Sequence, residues 1–136
     1  MIIISVDLGK ARTGLAISDK TGFLASPLMM IEEKSPAKIL EKVAVAVKEN
    51  KAELVVVGLP KNMDGSEGDS AKSAREFASK LNEVTGIKTV MQDERGTTIT
   101  AHNYLSNRDV KGKKRKAQVD IVAASIILQD YLDKNR

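Results

Sequence analysis

The sequence has no cysteine. That excludes a disulfide, a thiolate nucleophile and any cysteine-ligated metal, and it fits a reducing cytoplasm. Tryptophan is also absent, and there are only two phenylalanines and two tyrosines. Stacking of flat ligands on aromatic platforms is therefore excluded as a major mode of recognition. The one histidine, His102, falls on an expected helix and is given no role. No stretch is long and apolar enough to span a membrane, and the N-terminus runs straight into a strand. Neither a secretory signal nor a membrane partner is expected.

What is present fits a soluble α/β domain. The size is that of one domain, residues 1–136, with chain enough for a real core. The net charge of +4 is local. The segment RDVKGKKRK at 108–116 holds six basic residues and one acid, which leaves 16 basic against 17 acidic residues elsewhere, from totals of 22 and 18. A nearly neutral body with one cationic loop points to a polyanion.

The opening stretch MIIISVDLGKARTG organises the rest. Ile2, Ile3, Ile4 and Val6 are a short apolar run bounded by glycine, the pattern of a strand buried on both faces. Asp7 comes at its end, where a carboxylate must be hydrogen-bonded, paired or on a metal. Gly9 and Gly14 allow tight turning or close approach to a ligand, with Lys10 and Arg12 between them. A metal holding a phosphate and a turn aspartate capping backbone N–H groups both satisfy this pattern.

Thr13–Asp19 and Phe23–Ile31 follow as strands across a Lys20-Thr21-Gly22 turn, with Pro27 marking an edge or a bulge. Ser35-Pro36 starts a helix whose Ile39, Leu40, Val43 and Val47 share a face. Leu54–Val57 is a buried strand. The turn-rich loop to Ser70 has the length of a functional one. Asp69 or Ser70 is expected to cap a helix that buries Ala74, Phe77, Ala78 and Leu81 and closes at Gly86. Ile87–Met91 forms a fifth strand running into Asp93-Glu94-Arg95. A short helix is expected over Thr98–Leu105. A last helix runs from about Ala117 to Leu132, with Val119, Val122, Ala123, Ile126, Ile127 and Leu128 inward and Asp120 in its first turn. The helix dipole favours a carboxylate there in any case.

Three antiparallel strands followed by two α-linked strands make a mixed five-stranded sheet with helices on its faces. That is the element order of the ribonuclease H-like fold. In such a sheet the site forms where strand ends converge. Asp7, Asp93, Glu94 and Asp120 can meet there. Without histidine or cysteine, that is an oxygen-donor site suited to Mg²⁺ or Mn²⁺. Asp7, Glu94 and Asp120 are the expected metal ligands; Glu94 has the longer reach and Asp93 is closer to the strand, and the sequence does not choose between those two.

Four segments then resemble the signatures of the YqgF/RuvX family of Holliday junction resolvase-like proteins. Asp7-Leu8-Gly9-Lys10-Ala11-Arg12-Thr13-Gly14-Leu15-Ala16 is similar to its D-x-G-x-x-R-x-G-x-A opening. Val57-Gly58-Leu59-Pro60 with Asn62-Met63-Asp64-Gly65-Ser66 resembles the second signature. Asp93-Glu94-Arg95 with Thr97-Thr98 resembles D-E-R-x-[ST]-T, with Gly96 where the family often has leucine. Lys116-Ala117-Gln118-Val119-Asp120 resembles the closing motif. The resemblance implies a metal-dependent nuclease associated with maturing the 5′ end of the small-subunit ribosomal RNA precursor. Its active-site acids would be Asp7, one or both of Asp93 and Glu94, and Asp120. Resolvases of this fold take an acid from the fourth strand; here that strand ends in Gly58-Leu59-Pro60, and the Asp93-Glu94 pair must substitute.

Arg95 is placed to stabilise phosphate charge or to pair with Asp93. Lys10 and Arg12, with Lys113, Lys114, Arg115 and Lys116, are the expected nucleic-acid contacts. The partner is structured RNA or branched DNA, read by backbone and shape. A junction resolvase and a non-catalytic RNA-binding assembly or transcription factor are the other readings. The sequence leaves monomer and homodimer both open.

Overall fold

The computed structural model describes residues 1–62, 64–93 and 112–135, and of residues 112–121 the backbone alone. The elements are β1 (Ile3–Leu8), β2 (Thr13–Ser18), β3 (Ala25–Ile31), α1 (Pro36–Glu49), β4 (Leu54–Leu59), α2 (Asp69–Thr85), β5 (Lys88–Asp93) and α3 (Gly112–Lys134). The strands form one sheet in the order β3-β2-β1-β4-β5. β1–β2 and β2–β3 are antiparallel; β1–β4 and β4–β5 are parallel. The short connections among β1, β2 and β3 permit a meander, whereas the crossovers through α1 and α2 return the chain in parallel. β1 is central, with a neighbour on each side, which explains its unbroken apolar run. Pro27 lies on the edge strand β3, opposite Ala16, where the register shifts. A residue with no N–H is tolerated there because the ladder needs no bond from it.

The strand period of two sorts the core into two layers. Ile4, Val6, Leu15, Val55, Val57 and Leu59 are buried on the side of α1 and α2, with Val43, Val47, Phe77 and Leu81. Ile3, Ala16, Leu54 and Val56 are buried on the other side under Ala124, Ile127, Leu128 and Leu132 of α3. Ser35 caps α1 and Pro36 is its first residue, and Gly86 ends α2 in the left-handed conformation, φ 70°.

Several boundaries differ from expectation. β3 begins at Ala25 rather than Phe23, because the Asp19 carboxylate accepts from the amides of Phe23 (2.8 Å) and Leu24 (3.2 Å) and closes a longer turn. A hydrogen bond from the Thr21 hydroxyl, and after it those two amides, hold the Asp19 carboxyl below its ordinary value. Neither Asp69 nor Ser70 caps α2. Gly68 is the cap residue, and Asp69 lies in the first turn, where the helix dipole favours it. β5 extends to Asp93. Val122 and Ile126 are half-buried rather than fully inward. The Thr98–Leu105 helix and His102 lie outside the described residues, and so does the side chain of Val119.

The largest difference is at α3. It starts at Gly112, five residues before Ala117, so the backbone of Lys113–Lys116 is helical rather than a loop. Lysine and arginine are good helix formers, and nothing in that run stops a helix. Asp120 is consequently more than two turns inside the helix, not in its first turn. The dipole effect fades within the first turn, so it no longer accounts for a carboxylate there.

Candidate active site

The C-terminal ends of the parallel strands β1, β4 and β5 share one edge of the sheet, together with the β1–β2 turn. Asp7 is there, half-buried, opposite Gly14 of β2. It lies two residues beyond Ser5 and so on the same face, the one covered by α3. The Ser5 hydroxyl donates to the Ala124 carbonyl at 2.7 Å, tying α3 to the middle of β1. Farther back, Ile3 shares a cavity wall with Leu132 and Asn135. Helix and strand therefore run antiparallel. Two residues forward along β1 advance about 6.7 Å, and one turn back along α3 from Ala124 to Asp120 retreats about 6 Å. The topology thus sets the backbone at Asp120 near the strand end that carries Asp7. The helical backbone of Lys113–Lys116 extends farther toward the same edge.

Asp93 is placed differently. It pairs with Leu59, whose side chain is in the α1/α2 layer. By register it belongs to the face opposite Asp7. Gln92, one position earlier, pairs with Gly58 and lies on the Asp7 face. Glu94 and Arg95 are outside the described residues, as are the side chains of Asp120, Lys113, Lys114, Arg115 and Lys116. Among the described residues no three metal-ligating side chains cluster.

The turn joining β1 and β2 is closed by the Leu8–Thr13 pair. A Cβ on Gly9 would stand 2.3 Å from the Arg12 carbonyl oxygen, so glycine is required for the turn to fold back on itself. That fold-back leaves Lys10 exposed at the edge and Arg12 partly covered. Arg12 Nε is 3.7 Å from Glu32 Oε1, a solvent-facing pair that holds the guanidinium only weakly.

The family model described as "RuvX: Holliday junction resolvase" matches residues 1–134. The chain belongs to the RuvX family. A Clostridium botulinum protein named "Putative pre-16S rRNA nuclease" is 42% identical over 134 residues, covering 98% of each chain. A Shouchella clausii protein of the same name is 43% identical over 136 residues, covering 98% of this chain and 96% of that one. Among solved structures, Thermus thermophilus RuvC in complex with a Holliday junction substrate superposes with a TM-score of 0.64 at 14% identity, over 99% of this chain and 95% of that one. Fowlpox virus resolvase with Holliday junction DNA gives 0.61 at 15% identity, over 99% of both chains. The ribonuclease H-like architecture expected from the element order is therefore present.

In this RuvX-family chain the second signature folds into the loop after β4. Asn62 Nδ2 donates to Ser66 Oγ at 2.9 Å, and Ser66 donates from its amide (2.9 Å) and hydroxyl (2.6 Å) to Asp64 Oδ1. Gly65 takes φ 92° within this turn. Arg75 of α2 grips Glu67 through Nε at 2.7 Å and Nη2 at 2.9 Å. That pair holds the Glu67 carboxyl below, and the Arg75 guanidinium above, their ordinary values. The loop is thus fastened at the edge where β1 and β4 end.

Sequence reasoning missed Ser5 and Gln92. Both are polar residues in apolar strand runs, and both are buried on the α3 face. A signal exists: strand period two puts Ser5 on the same side as Asp7.

Proposed function

We propose that this chain is a metal-dependent phosphodiester endonuclease that processes the 5′ end of the small-subunit ribosomal RNA precursor in the cytoplasm. The observation that supports this most is the placing of Asp7 at the end of the central strand, on the face where α3 brings its backbone at Asp120. The names of the curated relatives support the RNA substrate. Of the two adjacent acids that close β5 in sequence we assign the role to Glu94, because Asp93 belongs by register to the face opposite Asp7.

The donor set fits a hard divalent cation. It is all carboxylate oxygen, and Asp7 is flanked by glycine rather than by a bulky side chain. Asp7, Glu94 and Asp120 would hold Mg²⁺ or Mn²⁺, which supplies a deprotonated water and offsets charge on the departing oxygen. Lys10 and Arg12 hold the substrate backbone at the edge of the site. Lys113–Lys116 attract it over a longer range, with strong salt dependence. Arg95 stands next to the acids in sequence and offsets phosphate charge.

The test is incubation of pure protein with Mn²⁺ or Mg²⁺ and two matched substrates, a precursor fragment spanning the small-subunit 5′ end and a four-way DNA junction. Metal-dependent cutting of the RNA supports the proposal. Cutting of the junction alone would make the chain a resolvase. Binding with no cutting of either would make it an RNA-binding factor.

A further inference from the structure

The outer side of the α1/α2 layer, away from the sheet, carries a stripe that is its own complement. Glu41, Ala44, Val45 and Lys48 are spaced at i, i+3, i+4 and i+7, and so lie along one side of α1. Ile39, Val43 and Val47 take the other side and pack in the core. At the middle of the stripe a hollow lies beside a knob: Ala44 is 6% exposed and Val45 is 48% exposed. The hollow is part of a groove of about 280 Å³, in which Leu40 and Ala44 of α1 meet Val84 of α2. Val84 is itself exposed. Glu41 and Lys48 end the stripe. Both are exposed, and neither makes an ion pair with another described residue.

A twofold axis between Ala44 and Val45 reverses this pattern onto itself. Glu41 then comes opposite Lys48, and Ala44 opposite Val45. A small residue facing a larger one lets two helices approach to about 8–10 Å. A twofold contact of this kind uses the same patch on both copies. The charges at the ends add little strength at a surface, but they fix the register and exclude the parallel arrangement.

Charge also decides which partner the face suits. The groove carries Glu41 and Lys48, and its continuation between Pro36 and Phe77 carries Glu76 and Lys80. Two acids and two bases give a nucleic acid no field to follow. They match a surface with the same alternation, and this chain's own face is one. α1 has 14 residues, so two helices of about 21 Å by 10 Å offer about 400 Å² per copy. That is about half of a stable interface, which makes the contact weak and dependent on concentration.

We propose that the chain self-associates as a twofold dimer through the outer face of α1 and α2, with antiparallel copies of α1 crossing at Ala44 and Val45 and each Glu41 meeting the partner's Lys48. The proposal does not depend on the nuclease reading. The dimer leaves the Asp7 and α3 side of the sheet untouched. Reversing α1 reverses β1 with it, so the two edges that carry Asp7 point away from each other.

Sedimentation equilibrium of the full chain at low salt, across micromolar to millimolar concentrations, reads the association. The mean mass of the wild type should rise toward twice that of the monomer. Glu41→Lys and Lys48→Glu, each alone, set like charges opposite each other twice and should weaken the dimer at least about tenfold. An equimolar mixture of these two variants is complementary again at both ends and should associate as the wild type does. So should a chain carrying both substitutions. Circular dichroism establishes that each variant is folded. A wild type that stays monomeric at every concentration overturns the proposal and leaves the face to another protein. A dimer that neither single variant weakens uses a different face, and one that the mixture does not restore uses a different register; either result overturns the arrangement.

Discussion

The two faces of the sheet are built differently. Toward α1 and α2 the strands present Ile4, Val6, Leu15, Val55, Val57 and Leu59, an apolar layer. Toward α3 the same strands present Ile3, Ala16, Leu54 and Val56, but also Ser5, Asp7, Gly14, Gly58 and Gln92. The polar and glycine positions lie from the middle of the sheet to the edge where β1, β4 and β5 end. The α1/α2 face buries side chains at the usual gain of about 25 cal/mol per Å². The α3 face gives up part of that gain at these polar and glycine positions. On the proposed function, stability is carried mainly by one face and chemistry by the other.

The largest expected effect comes from exchanging the two kinds of damage. Asp7→Asn should lower cleavage at least about 100-fold, since a metal-holding carboxylate contributes several kcal/mol to the transition state. It should leave the melting temperature unchanged or raise it by relieving carboxylate repulsion. Leu15→Ala, at a fully buried position on the other face, should do the reverse. It should cost about 2–5 kcal/mol of stability while the folded fraction still cuts. Denaturant unfolding beside single-turnover cleavage reads both.

Asp120→Asn sharpens the comparison, because α3 covers the face that carries Asp7. Asp120 lies more than two turns into the helix, so loss of a cap is not expected. Mn²⁺ should raise the melting temperature of the wild type increasingly with ligand excess, and less so in this variant. Combined with Asp7→Asn, its effect on metal binding should be non-additive. Additive effects in the double variant would separate the two acids.

A smaller effect is expected from Lys113, Lys114, Arg115 and Lys116 replaced together by glutamine. Affinity for RNA should fall, and the slope of log affinity against log salt should flatten by about 3–4, near one unit for each phosphate no longer neutralised. An unchanged slope would move the polyanion-binding surface elsewhere.

Much of this division is present in the sequence. The unbroken apolar runs of β1 and β4 announce buried strands, and the Ser35-Pro36 start and Gly86 stop mark helix ends by local backbone chemistry. Asp7 stands out as a carboxylate closing an apolar run. What depends on long-range pairing is harder to see. That Asp93 belongs to the wrong face follows from its register with Leu59, and a shift of one residue would reverse it. The early start of α3 is hidden when a basic run is taken for a solvated loop, although its residues favour a helix. Gln92 gives a weak signal alone; that it shares a face with Asp7 follows only from its register with Gly58.

The smallest expected effect is at Ser5. Its hydroxyl donates to the Ala124 carbonyl, so Ser5→Ala should cost about 1 kcal/mol by denaturant unfolding. Cleavage should fall less than for any change at Asp7, because α3 retains its apolar packing. A loss of activity as large as that of Asp7→Asn would mean that this one bond positions the helix.

The most direct measurement is cleavage of the precursor fragment with Mn²⁺ by wild type and Asp7→Asn, with the unfolding temperature of each measured without metal, to show that both are folded, and again with it. Metal-dependent cutting is expected from the wild type and none from the variant, with a metal-induced rise in melting temperature in the wild type alone. Full activity in Asp7→Asn would contradict a metal site built on the central strand.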